Sequence, residues 1–355
     1  MTAVTIPPSA SRYLGIDSSY TLTTVSTLYK SVGTRGLAVP VLLAASLCCN
    51  VTALIVPFLE IEVFLRGTST YSLPRSVELM WEAELYAISL LIVGFSILFP
   101  FAKLVAMTCV WFFMREPGPR RALLERIEPL GKWSFLDIFI VIIILVLTND
   151  QLFIGATPVV GLYFFVVAIV LSMITAMVIE RLSRPQPPEE PGQPRSLASK
   201  PGRRRWLVGS LLVLSVPALM AAVELPFLKT TRFLLAGEAY SIRRSAGTLW
   251  SDDAYLLAAI VAATLIAVPV ACVVALPVVW FRGLDRHGRL RWRVRLAAMW
   301  QWMMIDVFGL ALLAFLIEGD ELIRTEVKQG LSLIVAAAVI LTLTYVLVAG
   351  ANRRS

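Results

Sequence analysis

The chain has 355 residues, 58% of them hydrophobic, and a formal net charge of +8. A soluble domain is apolar over roughly 45–50% of its residues, so this composition excludes an ordinary water-soluble fold and makes the bilayer the main solvent. The basic balance would suit nucleic acid, but its distribution along the chain excludes that reading, as the loops show below.

Residues 1–36 are polar and Ser/Thr-rich, with no short apolar run before Leu37, and are expected to form a cytoplasmic tail without a cleavable signal. Four apolar spans follow, at about 37–59, 85–114, 133–148 and 152–179. Lys103 interrupts the second, and Asp137 stands near the start of the third. Residues 181–205 carry Pro185, Pro187, Pro188, Pro191, Pro194 and Pro201 among charges, a composition that buries no apolar surface and predicts a cytoplasmic linker. Four more spans come at about 206–228, 254–281, 296–317 and 330–351, with Asp306 in the third, and residues 352–355 end the chain. Backbone groups in hydrocarbon must bond within their own segment, and about 20 apolar residues cross a bilayer as helix. The expectation is an all-α polytopic membrane protein of eight transmembrane helices.

The chain also repeats itself at an offset of 169 residues. Trp81, Tyr86, Pro100, Trp111, Trp133 and Asp137 recur as Trp250, Tyr255, Pro269, Trp280, Trp302 and Asp306. Pro57-Phe58-Leu59 recurs as Pro226-Phe227-Leu228, and Gly161-Leu162 as Gly330-Leu331. Register kept without a gap predicts a duplicated unit, with modules at 37–180 and 206–351. Four spans per module is an even number, so the two modules have the same orientation, related by an axis along the membrane normal.

Placing both termini in the cytoplasm puts 23 Lys and Arg residues on that side and 8 on the other, counted along the chain. This asymmetry sets the orientation and accounts for the basic charge without nucleic acid. Contact with anionic lipid head groups is the expected role of the Arg-rich loops. The outer loops Glu60–Glu84 and Lys229–Asp253 each hold a Tyr-Ser and then an Arg-Ser dipeptide. In the first, residues 60–64 and 69–73 read as a short hairpin, and residues 74–84 as an amphipathic helix opened by Pro74.

Lys103 lies about ten residues, roughly 15 Å, from the inner end of its helix. A charge near the bilayer midplane costs about 3 kcal/mol or more, so such a residue faces the bundle and has a partner. Asp137 is the expected partner, reached by snorkelling of the lysine. Pro100, one turn earlier, is expected to kink the helix and free carbonyls, and Pro269 to do the same in the repeat. Two readings of Asp137 stand side by side. Ser134-Phe135-Leu136-Asp137 fits a capping box at a helix start, yet Asp306 persists where Ser134 becomes Met303. Lys103 has no counterpart, Cys272 standing in its place. Trp111, Trp133, Trp280 and Trp302 fall at inner helix ends and read as an interfacial aromatic belt. Cys48, Cys49, Cys109 and Cys272 lie in apolar segments with no C-x-x-C spacing, so no disulfide framework, zinc site or other cofactor is expected. The single histidine, His287, sits in an Arg-rich loop. No nucleotide-binding or hydrolase motif is present, and no enzymatic activity is expected.

The run Gly131-Lys132-Trp133-Ser134-Phe135-Leu136-Asp137-Ile138-Phe139-Ile140-Val141 resembles the signature of the paraquat-inducible protein A family. Phe99-Pro100-Phe101-Ala102-Lys103-Leu104 and Gly161-Leu162-Tyr163-Phe164-Phe165 are similar to further family patterns, and Trp302-Met303-Met304-Ile305-Asp306-Val307-Phe308 is a weaker copy of the first. The resemblance implies a multi-pass protein of the bacterial inner membrane with two four-helix modules. It also implies work with an MCE-domain partner that bridges the periplasm and carries lipids between membranes. By position, Lys103, Asp137 and Asp306 would then be polar membrane residues engaged in energy coupling. Family members often carry paired C-x-x-C zinc ribbons before each module, and this sequence shows none. Three functional expectations follow: the membrane subunit of a lipid-trafficking system, a standalone proton- or ion-coupled transporter, and a non-transport membrane scaffold.

Overall fold

In the computed structural model, eight helices are long and apolar enough to cross a membrane, at 38–55, 93–112, 131–148, 160–183, 204–224, 255–281, 288–317 and 329–351. The structure describes residues 28–29, 36–63, 67–82, 84, 86–148, 154–183, 203–230, 239–283, 285–318 and 325–354. Most of the tail at 1–36, residues 184–202 of the linker and the hairpin turn at 64–66 lie outside the described residues.

In the first module, α1 (Ala38–Ile55) leads into β1 (Leu59–Val63) and β2 (Gly67–Tyr71), then α2 (Leu73–Glu82). The second span is α3 (Tyr86–Ile92), a π-helical turn Val93–Leu98, and α4 (Phe99–Phe112). Then come α5 (Pro117–Leu130), a 3-10 turn Gly131–Phe135, α6 (Leu136–Thr148), β3 (Ile154–Pro158) and α7 (Val160–Ser183). The second module repeats this as α8 (Arg203–Glu224), β4 (Leu228–Thr230), β5 (Ala239–Tyr240), α9 (Ile242–Ser251), α10 (Tyr255–Val261), a π turn Ala262–Ala267 and α11 (Val268–Phe281). It ends with α12 (Arg286–Trp302), α13 (Ile305–Glu318), β6 (Thr325–Val327) and α14 (Gln329–Arg354).

Four expectations about elements change. The expected hairpin gains a third strand, because β1 pairs antiparallel with β3 as well as β2, and β4 likewise lies between β5 and β6. The fourth span therefore begins at Val160 rather than 152, since Ile154–Pro158 bonds laterally to β1. The span read as 296–317 is broken at Met303–Met304, where Met303 takes an extended conformation (ψ 110°). Helix α5 and residues 286–295 of α12 occupy segments read as loops. Their charges gave no apolar stripe to detect, but Pro117 stands at the favoured first helical position. Asp285 caps α12 by accepting from Gly288 N at 2.8 Å.

The repeated motifs of the outer loops become one repeated cap. Tyr71 and Tyr240 end strands, and Leu59 faces Tyr71 as Leu228 faces Tyr240. The serine after each tyrosine starts a helix: Ser241 Oγ accepts from Arg244 N, and Ser76 N and Ser245 N donate to Ser72 O and Ser241 O at 2.9 and 2.8 Å. Trp81 packs edge-on against Tyr86 at 4.8 Å, and Trp250 against Tyr255 at 5.0 Å. Between the members of each pair the backbone turns through a left-handed residue, Glu84 (φ 64°) or Asp253 (φ 60°). Gly161 N donates to Pro57 O at 3.0 Å and Gly330 N to Pro226 O at 2.9 Å. A Cβ on either glycine would stand 2.4 Å from that same carbonyl oxygen. Each glycine is thus required where the fourth helix of its module meets the end of the first.

The centre of the molecule is α6, whose Leu136, Ile138, Phe139, Ile142, Ile143, Leu145, Val146 and Leu147 are all buried. A helix apolar on every face is one enclosed by others. Phe139 meets its own repeat counterpart Phe308 edge-on at 5.5 Å, and Phe308 meets Phe227 in the same way. One core cluster therefore runs through both modules. Each module keeps a smaller cluster at the end away from its strands, built on matched residues: Val39, Leu43, Met107, Val110 and Trp111 in one, Val208, Leu212, Leu276, Val279 and Trp280 in the other. Trp111 and Trp280 thus pack between helices and do not belong to an interfacial belt; their large apolar bodies fill these clusters. Trp133 remains 38% exposed. Val41, Leu90, Leu98, Val105, Val213 and Val274 point outward, an apolar surface suited to lipid tails.

Candidate functional site

Both repeated prolines follow a widened turn. Proline lacks an N–H, and its ring crowds the carbonyl four residues back. The helix relieves this through π turns, with Phe99 N donating to Gly94 O and Val268 N to Ala263 O, five residues back. In the second module the rearrangement places Thr264 O where it accepts from Met304 N at 3.3 Å, satisfying a donor at the break before α13. In the first module the π turn presents Ser96, whose hydroxyl donates to the Asp137 carboxylate. The expected kinks at Pro100 and Pro269 are thus π turns tied to the start of the third span.

Lys103 is 3% exposed, within the bundle as expected, but Asp137 is not its partner. Its Nζ donates to Ser172 Oγ on α7 at 3.0 Å, and Ser172 Oγ donates onward to Ile169 O at 2.9 Å. A Cβ on Gly131 would come within 3.2 Å of the ammonium, so glycine leaves room for it. The lysine lies between α7 and the 3-10 turn, while Asp137 is held by the π turn. The capping box is not formed either. The 3-10 turn makes the chain helical from Gly131, so Ser134 is inside a helix and not at its cap. Ser134 is buried at 3% exposure.

Asp306 has a different partner, supplied by the other module. Lys132 Nζ lies 3.4 Å from Asp306 Oδ2 and 4.5 Å from the centre of the Trp300 ring. The lysine side chain is 9% exposed and the aspartate 39%. Trp302 Nε1 also crosses between modules, to Met177 Sδ at 3.2 Å. The position matching Lys132 is Gln301, so the reverse ion pair does not exist. A double-mutant cycle with Lys132→Met and Asp306→Asn is expected to give a coupling of about 1 kcal/mol in thermal unfolding, held down by the exposure of Asp306. Additive losses would mean that the two charges stand together without acting on each other.

Sequence reasoning missed Ser96, Ser172 and Lys132. A signal for the first two exists in the repeat. Ser96, Lys103, Ser134 and Ser172 are matched by Leu265, Cys272, Met303 and Leu341. Four buried polar residues of one copy are apolar or nearly so in the other. A buried polar group costs free energy wherever it is not bonded, so a difference of that sign between the copies is the signal that points to these positions.

These features define a duplicated, multi-pass α-helical membrane protein with an ionisable interior in one half and a cross-half ion pair in the other. The chain belongs to the paraquat-inducible protein A family, whose sequence profile matches residues 37–183 and again 206–350. It is similar to the intermembrane transport protein PqiA of Escherichia coli strain K12, to that of E. coli O6:H1 and to that of Shigella flexneri. Each is 25% identical over 154 residues, 42% of this chain and 37% of the relative. The chain thus matches little more than a third of the length of these curated relatives. No solved structure matches it.

Proposed function

We propose that this protein is the membrane subunit of a lipid-trafficking system between membranes, working with an MCE-domain partner and catalysing no covalent reaction. The observation that carries the reading is the polar interior of the first module, where Lys103, Ser172, Ser96 and Asp137 are bonded inside an apolar bundle. Such groups are costly in hydrocarbon and are kept where a substrate or an ion passes. The relatives' role in intermembrane transport supports the same direction. The protein resides in the bacterial inner membrane with both termini cytoplasmic, supported by the bias of Lys and Arg among its loops. The two three-stranded caps then face the periplasm, on the side where a bridging partner would dock.

Because the lysine and the aspartate each hold a hydroxyl rather than each other, an incoming phosphate or proton can engage one without first breaking an ion pair. Asp137 and Asp306 stand at equivalent places but do different work in this reading. The first belongs to the polar interior, and the second fixes the modules together through Lys132. The experiment is purification of the full chain from native membranes in mild detergent, with mass spectrometry of bound proteins and lipids. An MCE-domain protein and near-stoichiometric phospholipid are expected. A protein free of partner and lipid would overturn the reading in favour of a standalone proton- or ion-coupled transporter.

A further inference from the structure

The end of α11 and the first turns of α12 enclose a polar groove of about 330 Å³. Arg282, Arg291 and Arg295 line it, with Trp292, Gly288 and Asp285. We propose that this groove binds the phosphate headgroup of an anionic membrane phospholipid, and that it does so whether or not the protein moves lipid.

Three observations lead there. First, the charges do not cancel. The one carboxylate in the lining, Asp285, is engaged as the helix cap, accepting from Gly288 N. Among the described residues none of the three guanidinium groups forms an ion pair, and Arg295 rests over the Trp292 ring at 5.5 Å. Guanidinium groups match phosphate oxygens in paired hydrogen bonds. Second, the groove lies at headgroup depth. Arg282 is the residue after Phe281, where the apolar span 255–281 ends, and tryptophan beside arginine suits the membrane interface. Third, the groove is not part of the duplicated scaffold. Arg282, Arg291 and Trp292 correspond to Phe113, Ala122 and Leu123, and Arg295 alone keeps an arginine, at Arg126. The second module carries charge at two positions where the first has Phe113 and Ala122.

The test uses the full chain in mild zwitterionic detergent, titrated with short-chain phosphatidylglycerol, short-chain phosphatidylcholine or inorganic phosphate, with native mass spectrometry as readout. Phosphatidylglycerol is expected to bind at least tenfold more tightly than phosphatidylcholine, and millimolar phosphate not to displace it. The double variant Arg291→Gln/Arg295→Gln should lose at least tenfold in phosphatidylglycerol affinity. A control double variant in the basic segment of the first module, Arg115→Gln/Arg120→Gln, should stay within twofold of the parent. Equal loss in both variants would show diffuse attraction to a basic face and overturn the groove. Displacement by phosphate would reassign the ligand to the free anion. Should the first variant fail to fold, Arg282→Gln, outside any helix, repeats the comparison with the same criteria.

Discussion

Replacing Lys103 with methionine is expected to raise the stability of the protein while removing the lipid transport proposed for it. The ammonium is 3% exposed and donates to a single side chain, Ser172. A charge near the middle of a bilayer costs about 3 kcal/mol, and one hydroxyl partner returns only about 1–3 kcal/mol. Methionine keeps the length and apolar stem of lysine and is flexible enough to fill the same space. Lys103→Met should therefore gain up to about 2 kcal/mol, seen as a higher unfolding temperature in detergent. On the lipid-trafficking reading proposed above, the same variant should lose at least tenfold in lipid exchange between membranes or in the envelope resistance that reports it. A variant that is stable and fully active would make Lys103 a tolerated relic. A variant that is strongly destabilised would make it a structural tie between α4 and α7. Asp137→Asn tests the other half of the site. It preserves the bond from Ser96 in shape, so folding should hold while function falls.

The second large effect belongs to Gly161. Its Cα packs so closely on the end of α1 that an added methyl would sit 2.4 Å from Pro57 O and 2.5 Å from Val56 O. Those neighbours are backbone, held in turn by β1 and β2, so no side chain can swing aside. Gly161→Ala is expected to cost about 3 kcal/mol, at the upper end of overpacking effects, and Gly330→Ala a similar amount for the same reason. Gly94 supplies the control, because a Cβ there meets nothing within 4 Å. Gly94→Ala should be neutral or slightly stabilising. Thermal unfolding of the three variants in one detergent decides the matter. Equal behaviour of Gly161→Ala and Gly94→Ala would mean that the cap slides to make room.

Much of this architecture is legible in the residues. Span length and apolarity place the eight helices, and the 169-residue offset announces the duplication. The Tyr-Ser dipeptides, the Trp81–Tyr86 spacing and the paired glycines turn out to be the joints of the repeated cap. What escaped has physical causes. Strand β3 was read as the start of a helix because its neighbours are apolar, and period alone does not separate short apolar strands from helix. Helix α5 and the first turns of α12 carry too many charges to show a stripe and are read as loops. The Lys103–Asp137 pair was inferred from proximity along the membrane normal. The partners were decided by rotation about the helix axes, which the π turns change by one residue and which no residue pattern records. Lys132 was hidden for a simpler reason, since its partner lies 174 positions away in the other module.

The contact of Phe139 with Phe308 has a further meaning. In a symmetric dimer, a residue on the axis touches its own copy in the partner subunit. Here the two copies share one polypeptide, and nothing compels them to stay alike. The Lys132–Asp306 bridge shows what that freedom has allowed: it runs from first half to second and has no return. The first half holds Asp137 and Lys103 by itself, through Ser96 and Ser172, but its buried Lys132 takes its carboxylate from the second half. Cut apart, the second half would lose the cation of Asp306 and the first would keep a buried Lys132 with no anion, so two copies of one unit have become halves that neither can do without.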